Sequence, residues 1–409
     1  NQNIAPDRLA VYCGSGLGQL DNLGMGGVLT AMLKQERTIT KQLPFSYPQM
    51  TADFINAYII NNLGQTGNCC GACATFLYNL ALAVTNIKIG KVDLAIVGTS
   101  EAPILPQLMS AFYNMGAMTS DSKISSGDFS KASLPFGNNF GFVMGESAQF
   151  VVLASAEAAY KLGARIHGAV PDVFISADGA KRSISSPGPG NYITVAKALA
   201  AAGRILGDKK VAKHSYVHAH GTSTPQNRVT ESQILSSVAK HFKIKDWPVL
   251  AVKSYLGHSQ ATAGGDQIMA ALGYWKHSIL PGINTVDDIA DDVASANLRF
   301  NLENTETAKS AMDVSFINAK GFGGNNATAI LFSPDVAENI YKKEMGSRKL
   351  RKNLKIVEKR QQRIDQYLAD AENGKFSVRY ELAQSPPTDK DISLRGDKII
   401  IDGYPPIDI

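Results

Sequence analysis

The chain has 409 residues, more than a single hydrophobic core usually holds, so we expect two packed halves or domains. Apolar residues make up 44% of the sequence, which excludes a disordered chain, and no apolar run is long enough to span a membrane. The net charge of +5 is concentrated, because residues 342–363 carry +8 and leave −3 for the remainder. This distribution argues against a nucleic-acid-binding surface that covers the whole protein.

Apolar runs and apolar periodicity predict an alternation of strands and helices. The predicted strands are residues 9–13, 93–97, 149–154, 215–218 and 249–252. The predicted helices are residues 74–89, 195–206 and 229–241, and the first is so apolar that it should be buried on most sides. Loops rich in Gly, Pro or Asn are predicted at 185–190, near the middle of the chain, and at 320–326. The alternation is typical of an α/β fold with a largely parallel or mixed sheet.

The C-terminal residues differ in composition from the rest. Apolar residues at helical spacing predict one basic amphipathic helix over 336–371, followed by a strand at 376–382, a loop at 385–390 and a strand at 398–402. We expect this appendage to wrap on the core. Its basic residues form either a solvated helix face or a docking surface for an acidic carrier protein or for CoA phosphates. A membrane-surface helix is a weaker third interpretation.

Cys69, Cys70 and Cys73 stand within five residues, and the fourth cysteine is Cys13. An extracellular disulfide framework would spread its cysteines, so this pattern predicts a reducing compartment, the cytoplasm, and one reactive site. Cys73 directly precedes the most apolar helix, whose dipole should lower the pKa of the thiol and favour a nucleophilic thiolate. A small buried cysteine and a Cys70–Cys73 redox pair remain alternatives, whereas no second ligand pair for zinc is visible.

Two histidines and a glycine-rich loop complete the candidate residues. His220 and His258 each follow a predicted strand at a turn that contains glycine, a position from which side chains reach a cleft. His218 would share a strand face with His220, as half of a metal site would require, but no neighbouring cluster supplies further ligands. The loop at 321–324 offers backbone N–H groups for an anion and matches no nucleotide-binding motif.

These residues lie in motifs that together resemble one enzyme family. The motifs are GFVMGE (141–146), AHGTSTP (219–225), KSxxGH (253–258) and GFGG (321–324). They recur in the thiolase-like condensing enzymes, specifically the β-ketoacyl-acyl-carrier-protein (ACP) synthases, and the resemblance covers roughly residues 8–333. It implies an acyltransferase of fatty-acid synthesis that condenses an acyl thioester with malonyl-ACP by decarboxylation, without a cofactor or a metal.

The resemblance also implies a role for each catalytic residue. Cys73 is the nucleophile that becomes acylated. His220 and His258 drive decarboxylation of the malonyl group, because two neutral histidine donors stabilise the enolate that forms when CO2 leaves. Lys253 orders the histidine cluster. In this family a Cys-His-His set belongs to decarboxylative condensation, whereas thiolases carry Cys-His-Cys.

Substrate binding and assembly follow from the same resemblance. Thr222 and Thr224 would hydrogen-bond the pantetheine arm. Phe322 would be the gating aromatic, with Gly323 next to it in the loop, and the N–H groups of Phe322 and Cys73 would form the oxyanion hole. The implied partners are ACP, acyl-CoA and malonyl-ACP as substrates, and a second copy of the chain in a homodimer.

The sequence departs from the family pattern at three places. Asn227 and Arg228 replace the Gly-Asp pair that usually follows the TSTP motif. Gln267 replaces a common glutamate, and Lys320 replaces the aromatic residue two positions before the gating phenylalanine. With the basic tail, the pattern resembles a divergent initiating type that primes bacterial fatty-acid synthesis from acetyl-CoA. An elongating synthase for longer acyl chains and a non-catalytic partner subunit are the alternatives, and the presence of a nucleophile argues against the second.

The fold that the resemblance implies is a duplicated βαβαβαββ unit, stacked as five layers in the order α-β-α-β-α. We expect an N-terminal half at 1–158 with the nucleophile, a C-terminal half at 159–334 with both histidines, and an extension at 335–409. Only 72 residues precede Cys73. The first half should therefore lack its opening strand and helices, which implies a longer native chain.

Overall fold

The computed structural model describes residues 4–124, 127–183, 187–375, 380, 382 and 385–409, with only the backbone of 347–354. Its strands are β1 (Leu9–Gly14), β2 (Thr66–Gly67), β3 (Leu94–Glu101), β4 (Ser147–Ala154), β5 (Val173–Ala177), β6 (Ser215–His218), β7 (Trp247–Leu250), β8 (Ile279–Leu280), β9 (Leu298–Phe300), β10 (Thr305–Glu306), β11 (Val314–Gly321), β12 (Asn325–Phe332), β13 (Ile392–Arg395), β14 (Lys398–Ile401) and β15 (Ile407–Asp408). Its α-helices are α1 (Val28–Leu33), α2 (Gln42–Phe45), α3 (Met50–Ile55), α4 (Thr75–Lys88), α5 (Pro106–Asn114), α6 (Ala156–Leu162), α7 (Gly190–Leu206), α8 (Asp208–Lys213), α9 (Pro225–His241), α10 (Lys253–Leu256), α11 (Ala263–His277), α12 (Pro334–Met345) and α13 (Ser347–Glu372).

Two large mixed sheets form the body of the protein. The first has the order β2-β1-β3-β4, in which β1 is parallel to β2 and β3, and β4 is antiparallel to β3. The second has the order β5-β12-β11-β6-β7-β9, in which the last four strands are parallel and β12 is antiparallel to both neighbours. The predicted α/β class with mixed sheets is confirmed.

Helices α4 and α11 lie side by side between the two sheets. Helix α4 contacts β1 and β3 of the first sheet and β5 and β12 of the second, and α11 contacts β4 and β11. Because α4 meets apolar surface on several sides, Phe76, Leu77 and Leu80 are fully buried, as the sequence predicted for this segment. Helices α7 and α9 pack together on the second sheet, and α3 packs on β1. The result is alternating helix and sheet layers.

Several predicted boundaries differ from the observed ones. Helix α9 begins at Pro225, four residues early, because proline fits the first helical position. Helix α7 begins at Gly190, so the predicted loop at 185–190 ends one residue earlier, and 184–186 lie outside the described residues. The strand predicted at 249–252 ends at Leu250, because Val252 caps α10. The loop predicted at 320–326 is a hairpin whose turn spans only 322–324.

The prediction of one helix over 336–371 is wrong. Gly346 has φ 77°, which a right-handed helix cannot accommodate, and it separates α12 from α13. Helix α12 buries Val336 and Tyr341 against the core, whereas Ile364 and Leu368 on α13 are each half exposed. The strand predicted at 376–382 falls largely outside the described residues. The predicted last strand is confirmed as β14, which pairs with β13 and β15.

The two sheets differ at corresponding edges. In the second sheet, β5 pairs with the outer edge of β12, and α7 covers both strands. In the first sheet, no described strand pairs with the outer edge of β4, where Val152 is 65% exposed and Phe150 is 39% exposed. The expectation of an incomplete first half, and the divisions at 158 and 334, stay predictions. Within the described residues no helix is both long and apolar enough to cross a membrane.

Candidate active site

One cavity of about 370 Å³ brings together most of the residues singled out in the sequence. Its lining includes Cys73, Phe142, Asp178, Lys181, His220, Thr222, Thr224, Asn227, Thr230, His258, Gln260, Lys320 and Phe322. Lys253 lies behind the cavity, against His220. Gly323 is exposed in the β11–β12 turn and is not part of the lining.

Cys73 lies two residues before α4, one residue further from the helix than the sequence predicted, and it is 6% exposed. The backbone N–H groups of Phe322 and of Cys73 itself lie close enough to Sγ to lower the pKa of the thiol. The end of β11, at Gly321, passes very close to residues 71–73, the loop that carries Cys73. A Cβ at Gly321 would overlap the carbonyl oxygen of Gly71 and lie 3.1 Å from Cys73 N. An oxyanion hole requires two such backbone donors, and the role predicted for this pair stays a prediction.

The expectation of a lowered thiol pKa is wrong for Cys73. Burial raises its pKa to about 11, and this effect outweighs the charge of Lys253 and the backbone donors, which lower it. The dipole of α4 acts on this side chain from two residues away. It does not offset burial, because the thiol has lost nearly all contact with water. At neutral pH the resting group is therefore a thiol.

His220 and His258 both line the cavity and contact each other edge to face, with ring centroids 5.4 Å apart and ring planes at 85°. His220 follows β6 and His258 follows α10, and both are almost fully buried. Burial is the main reason that their pKa values lie well below 6.5, and the charge of Lys253 lowers them further. Both rings are therefore neutral at physiological pH.

Hydrogen bonds define which ring nitrogen carries the proton. The Nζ of Lys253 lies 3.5 Å from His220 Nδ1 and also donates to the carbonyl oxygen of His220. The backbone N–H of Gln260 donates to His258 Nδ1 at 3.2 Å. Since an ammonium and an amide can only donate, each Nδ1 accepts, and each neutral ring carries its proton on Nε2. Burial lowers the pKa of Lys253 to about 8.

Glu231 holds the turn that carries His220. It is fully buried on α9 and accepts hydrogen bonds from the backbone N–H groups of His220 and Gly221, at 2.7 and 2.8 Å. The side chains of Asn227 and Asn318 donate to the same carboxylate, at 2.9 and 2.7 Å. Sequence reasoning missed this residue. Its position one helical turn after Asn227 was the available signal, because α9 begins at the end of the histidine motif.

Gln260 is a second residue that sequence reasoning missed. It is 4% exposed and adopts φ 52°, a strained conformation for a residue other than glycine. Its Oε1 lies 3.5 Å from Cys73 Sγ, and its Nε2 lies 3.4 Å from the carbonyl oxygen of His258. One residue thus contacts the nucleophile and one histidine. The sequence gave no sign of this role, because Gln260 and its partner Cys73 are 187 positions apart.

The remaining candidates sit around these groups. Thr222 and Thr224 share a hydrogen bond of 3.0 Å between their hydroxyls at the cavity wall. The Phe322 ring stacks on Phe112, with centroids 6.2 Å apart. Asn325 fixes the turn by donating to the carbonyl oxygen of Phe322 at 2.7 Å.

The positions that depart from the family pattern have structural partners. Gln267 is fully buried, and its Nε2 donates to the carbonyl oxygens of Ala219 and Asn318, at 2.7 and 3.1 Å. Arg228 forms an ion pair with Asp292, with Nε 2.8 Å from Oδ1. Lys320, predicted in a loop, is instead near the end of β11, with its side chain at the cavity wall.

The other three cysteines and His218 do not line the cavity. All four cysteines are free thiols; Cys69 and Cys70 are exposed, whereas Cys13 is buried and its pKa is raised to about 12. His218 is fully buried, and burial lowers its pKa to about 3. The described residues contain no group of three or more His, Cys, Asp or Glu side chains placed to hold a metal ion.

Comparison with known proteins places the chain in a family. Residues 1–159 match the model of the β-ketoacyl synthase N-terminal domain, and residues 167–287 match that of the C-terminal domain. The chain is 47% identical to the β-ketoacyl-ACP synthase FabY of Pseudomonas aeruginosa over 98% of its own length, and it spans 64% of that relative. A 3-oxoacyl-ACP synthase 2 of Staphylococcus aureus is 28% identical, with 81% of this chain and 78% of that protein covered.

Solved structures support the same assignment. The crystal structure of the P. aeruginosa FabY ketosynthase superposes with a TM-score of 0.96 and 45% identity, covering 100% of this chain and 65% of that one. A β-ketoacyl synthase from Burkholderia phymatum, 23% identical, gives a TM-score of 0.68 over 81% of this chain and 77% of its own, which supports the fold alone. The predicted thiolase-like fold is confirmed. The chain belongs to the β-ketoacyl synthase family and is similar to its FabY member over nearly all of its 409 residues.

Proposed function

We propose that this protein condenses an acyl thioester with malonyl-ACP by decarboxylation, and releases β-ketoacyl-ACP and CO2. The observation that carries the proposal is the single cavity in which Cys73, His220 and His258 meet. The similarity to a protein named β-ketoacyl-ACP synthase supports it, although the chain spans less than two thirds of that relative.

In the first half-reaction, Cys73 Sγ attacks the thioester carbonyl carbon. The S–C bond to the enzyme forms, the bond to the donor sulfur breaks, and the Cys73 proton leaves with the released thiol. The N–H groups of Phe322 and Cys73 stabilise the negative charge on the tetrahedral oxygen. The hydroxyls of Thr222 and Thr224 bind the pantetheine arm, and Phe322 gates the cavity while Gly323 lets the turn move.

In the second half-reaction, the malonyl thioester places its carbonyl oxygen between the two Nε2–H groups of His220 and His258. The C–C bond to the carboxylate breaks, CO2 leaves, and the electron pair forms an enolate that these neutral donors stabilise. The enolate carbon then attacks the acyl group on Cys73 and expels the Cys73 thiolate, which takes up a proton from solvent and returns to the resting thiol. Lys253 is a positioning residue that orients His220.

The finer assignments are parts of the same proposal. We take acetyl-CoA as the acyl donor, ACP as the partner and the cytoplasm as the location, with the two halves and the extension divided at 158 and 334. A homodimer is supported by Met32, Leu33 and Ile39, which are 65%, 71% and 66% exposed. Light scattering of the purified protein tests this assembly, and a strictly monomeric mass would contradict it.

Labelling of the nucleophile tests the proposed reaction. The protein is incubated separately with acetyl-CoA and with a medium-chain acyl-ACP, and intact mass and peptide mapping locate the acyl group. Acetyl on Cys73 from the CoA donor supports an initiating synthase, and a medium-chain acyl group supports an elongating one. Cys73→Ala should abolish the label, whereas Cys70→Ala, at an exposed thiol outside the cavity lining, is the matched control. A protein that neither donor labels refutes the catalytic proposal.

A further inference from the structure

The ammonium group of Lys320 lies in the wall of the catalytic cavity without a carboxylate partner. Its Nζ donates to Asn227 Oδ1 at 3.2 Å and to Thr230 Oγ1 at 3.3 Å, and both acceptors are neutral. Among the described residues, no carboxylate oxygen lies within 4 Å of this nitrogen. An ammonium has three N–H donors, so one remains available to a ligand.

The nearest carboxylates are occupied by other donors. Glu231 accepts from two backbone N–H groups and from two asparagines. Asp178 pairs with Lys181 at 3.0 Å and accepts from Gly190 N and from Asn326 Nδ2, at 3.0 and 2.8 Å. These acids offset the charge of Lys320 only from a distance. Burial lowers the pKa of Lys320, and Glu231 and Asp178 partly counteract this effect.

We propose that Lys320 is a specificity-determining residue that binds the free carboxylate of the malonyl substrate. The inference rests on the proposed function and names the group that the cavity recognises. Of the groups that the reaction brings to Cys73 and the histidines, this carboxylate is the one that is ionised. The phosphates of CoA and of ACP are attached at the far end of the pantetheine arm. A half-buried ammonium with a free donor is complementary to such a carboxylate.

This contact acts on binding more than on the chemical step. The carboxylate is present when the malonyl thioester binds and is converted to neutral CO2 in the reaction. The ammonium therefore stabilises the bound substrate at least as much as the transition state. Loss of the charge should raise KM for the malonyl substrate and leave kcat unchanged or higher. The first half-reaction involves no carboxylate, so acetyl transfer to Cys73 should depend little on this charge.

The test compares Lys320→Met with Lys320→Arg, which retains the charge. The control is Lys88→Met at the last residue of α4, about 20 Å from the nucleophile. We expect Lys320→Met to raise KM for malonyl-ACP roughly tenfold to a hundredfold, the usual effect of losing a hydrogen bond to a charged group. Lys320→Arg should stay within a few fold, and Lys88→Met should resemble the wild type.

Three outcomes would overturn the inference. The first is an unchanged KM for malonyl-ACP in Lys320→Met. The second is an equal loss of rate in acetyl transfer and in condensation, which would indicate a structural role. The third is a Lys320→Arg variant that is as impaired as Lys320→Met. Isothermal titration of Cys73→Ala with malonyl-CoA and with acetyl-CoA gives a second measurement. Adding Lys320→Met to this variant should weaken the binding of malonyl-CoA and leave the binding of acetyl-CoA unchanged. Failure of the proposed function would appear separately, as a wild-type protein that neither acylates Cys73 nor condenses.

Discussion

Gly321→Ala tests how closely the end of β11 must approach residues 71–73, the loop that carries Cys73. The added methyl would overlap the carbonyl oxygen of Gly71 and lie 3.1 Å from Cys73 N and 3.2 Å from Ala72 Cβ. Ordinary contacts of a Cβ begin at 3.4 Å, so the two backbone segments must separate by roughly 1 Å. This separation moves the Phe322 N–H away from Cys73. Because the displaced group is a proposed oxyanion donor, acetyl transfer to Cys73 should slow about a hundredfold.

The assay is the rate of acetyl transfer from acetyl-CoA to Cys73, followed by intact mass, together with thermal unfolding. Overpacking should also lower the free energy of unfolding by about 1–3 kcal/mol. Gly273→Ala is the matched control, since a Cβ there meets no atom within 4 Å and alanine favours the interior of α11. If Gly321→Ala transfers acetyl as fast as Gly273→Ala, the close approach does not position the oxyanion donors.

Three further predictions concern buried charge and protonation. Glu231→Gln should lower the free energy of unfolding, measured in urea, by about 3–5 kcal/mol. The carboxylate accepts four N–H groups and supplies a negative charge near Lys253, whereas the amide is partly a donor and carries no charge. A loss below about 1 kcal/mol would contradict the stabilising role of these hydrogen bonds. Burial lowers the pKa values of His218, His220 and His258, so protonation of these histidines favours the unfolded chain. The free energy of unfolding should therefore decrease as the pH falls below about 6.5. Equal urea midpoints at pH 7.5 and 5.5 would refute this prediction. Iodoacetamide should modify exposed Cys70 faster than Cys73 at pH 8, and the rate at Cys73 should rise steeply towards pH 11. Peptide mapping over time measures both rates, and faster modification of Cys73 at pH 8 would contradict the prediction.

The sequence predicted the elements that local patterns define. Apolar runs located β1, β4 and β6 within two residues, and the motif around His220 correctly placed it after a strand. The resemblance supplied the layered fold, and the cavity brings Cys73, His220 and His258 together. The helix break at Gly346 was missed because the apolar spacing continues through it, although a glycine with positive φ ends a helix.

Contacts between distant segments could not be predicted from spacing. Burial raises the pKa of Cys73, and Gln260 and the end of β11 approach it from distant parts of the chain, so the local dipole argument gave the wrong direction. Glu231 and Gln260 carry no motif of their own, and their importance follows from partners in other elements. Lys320 stood out in the sequence only as a departure from the family pattern. Its neutral partners, Asn227 and Thr230, became visible once α9 was positioned against β11.

The assembly of the cavity from distant parts of the chain has a consequence for how the protein folds. Cys73 stands before α4, whereas His220, His258 and Gln260 come from much later in the chain, and the contact between Cys73 and Gln260 closes a loop of well over a hundred residues. Closing such long loops is slow, because much chain entropy is lost before the contacts form. The catalytic groups should therefore assemble among the last events of folding. Recovery of acetyl transfer during refolding would report the assembly of these distant segments, later than the recovery of helical circular dichroism.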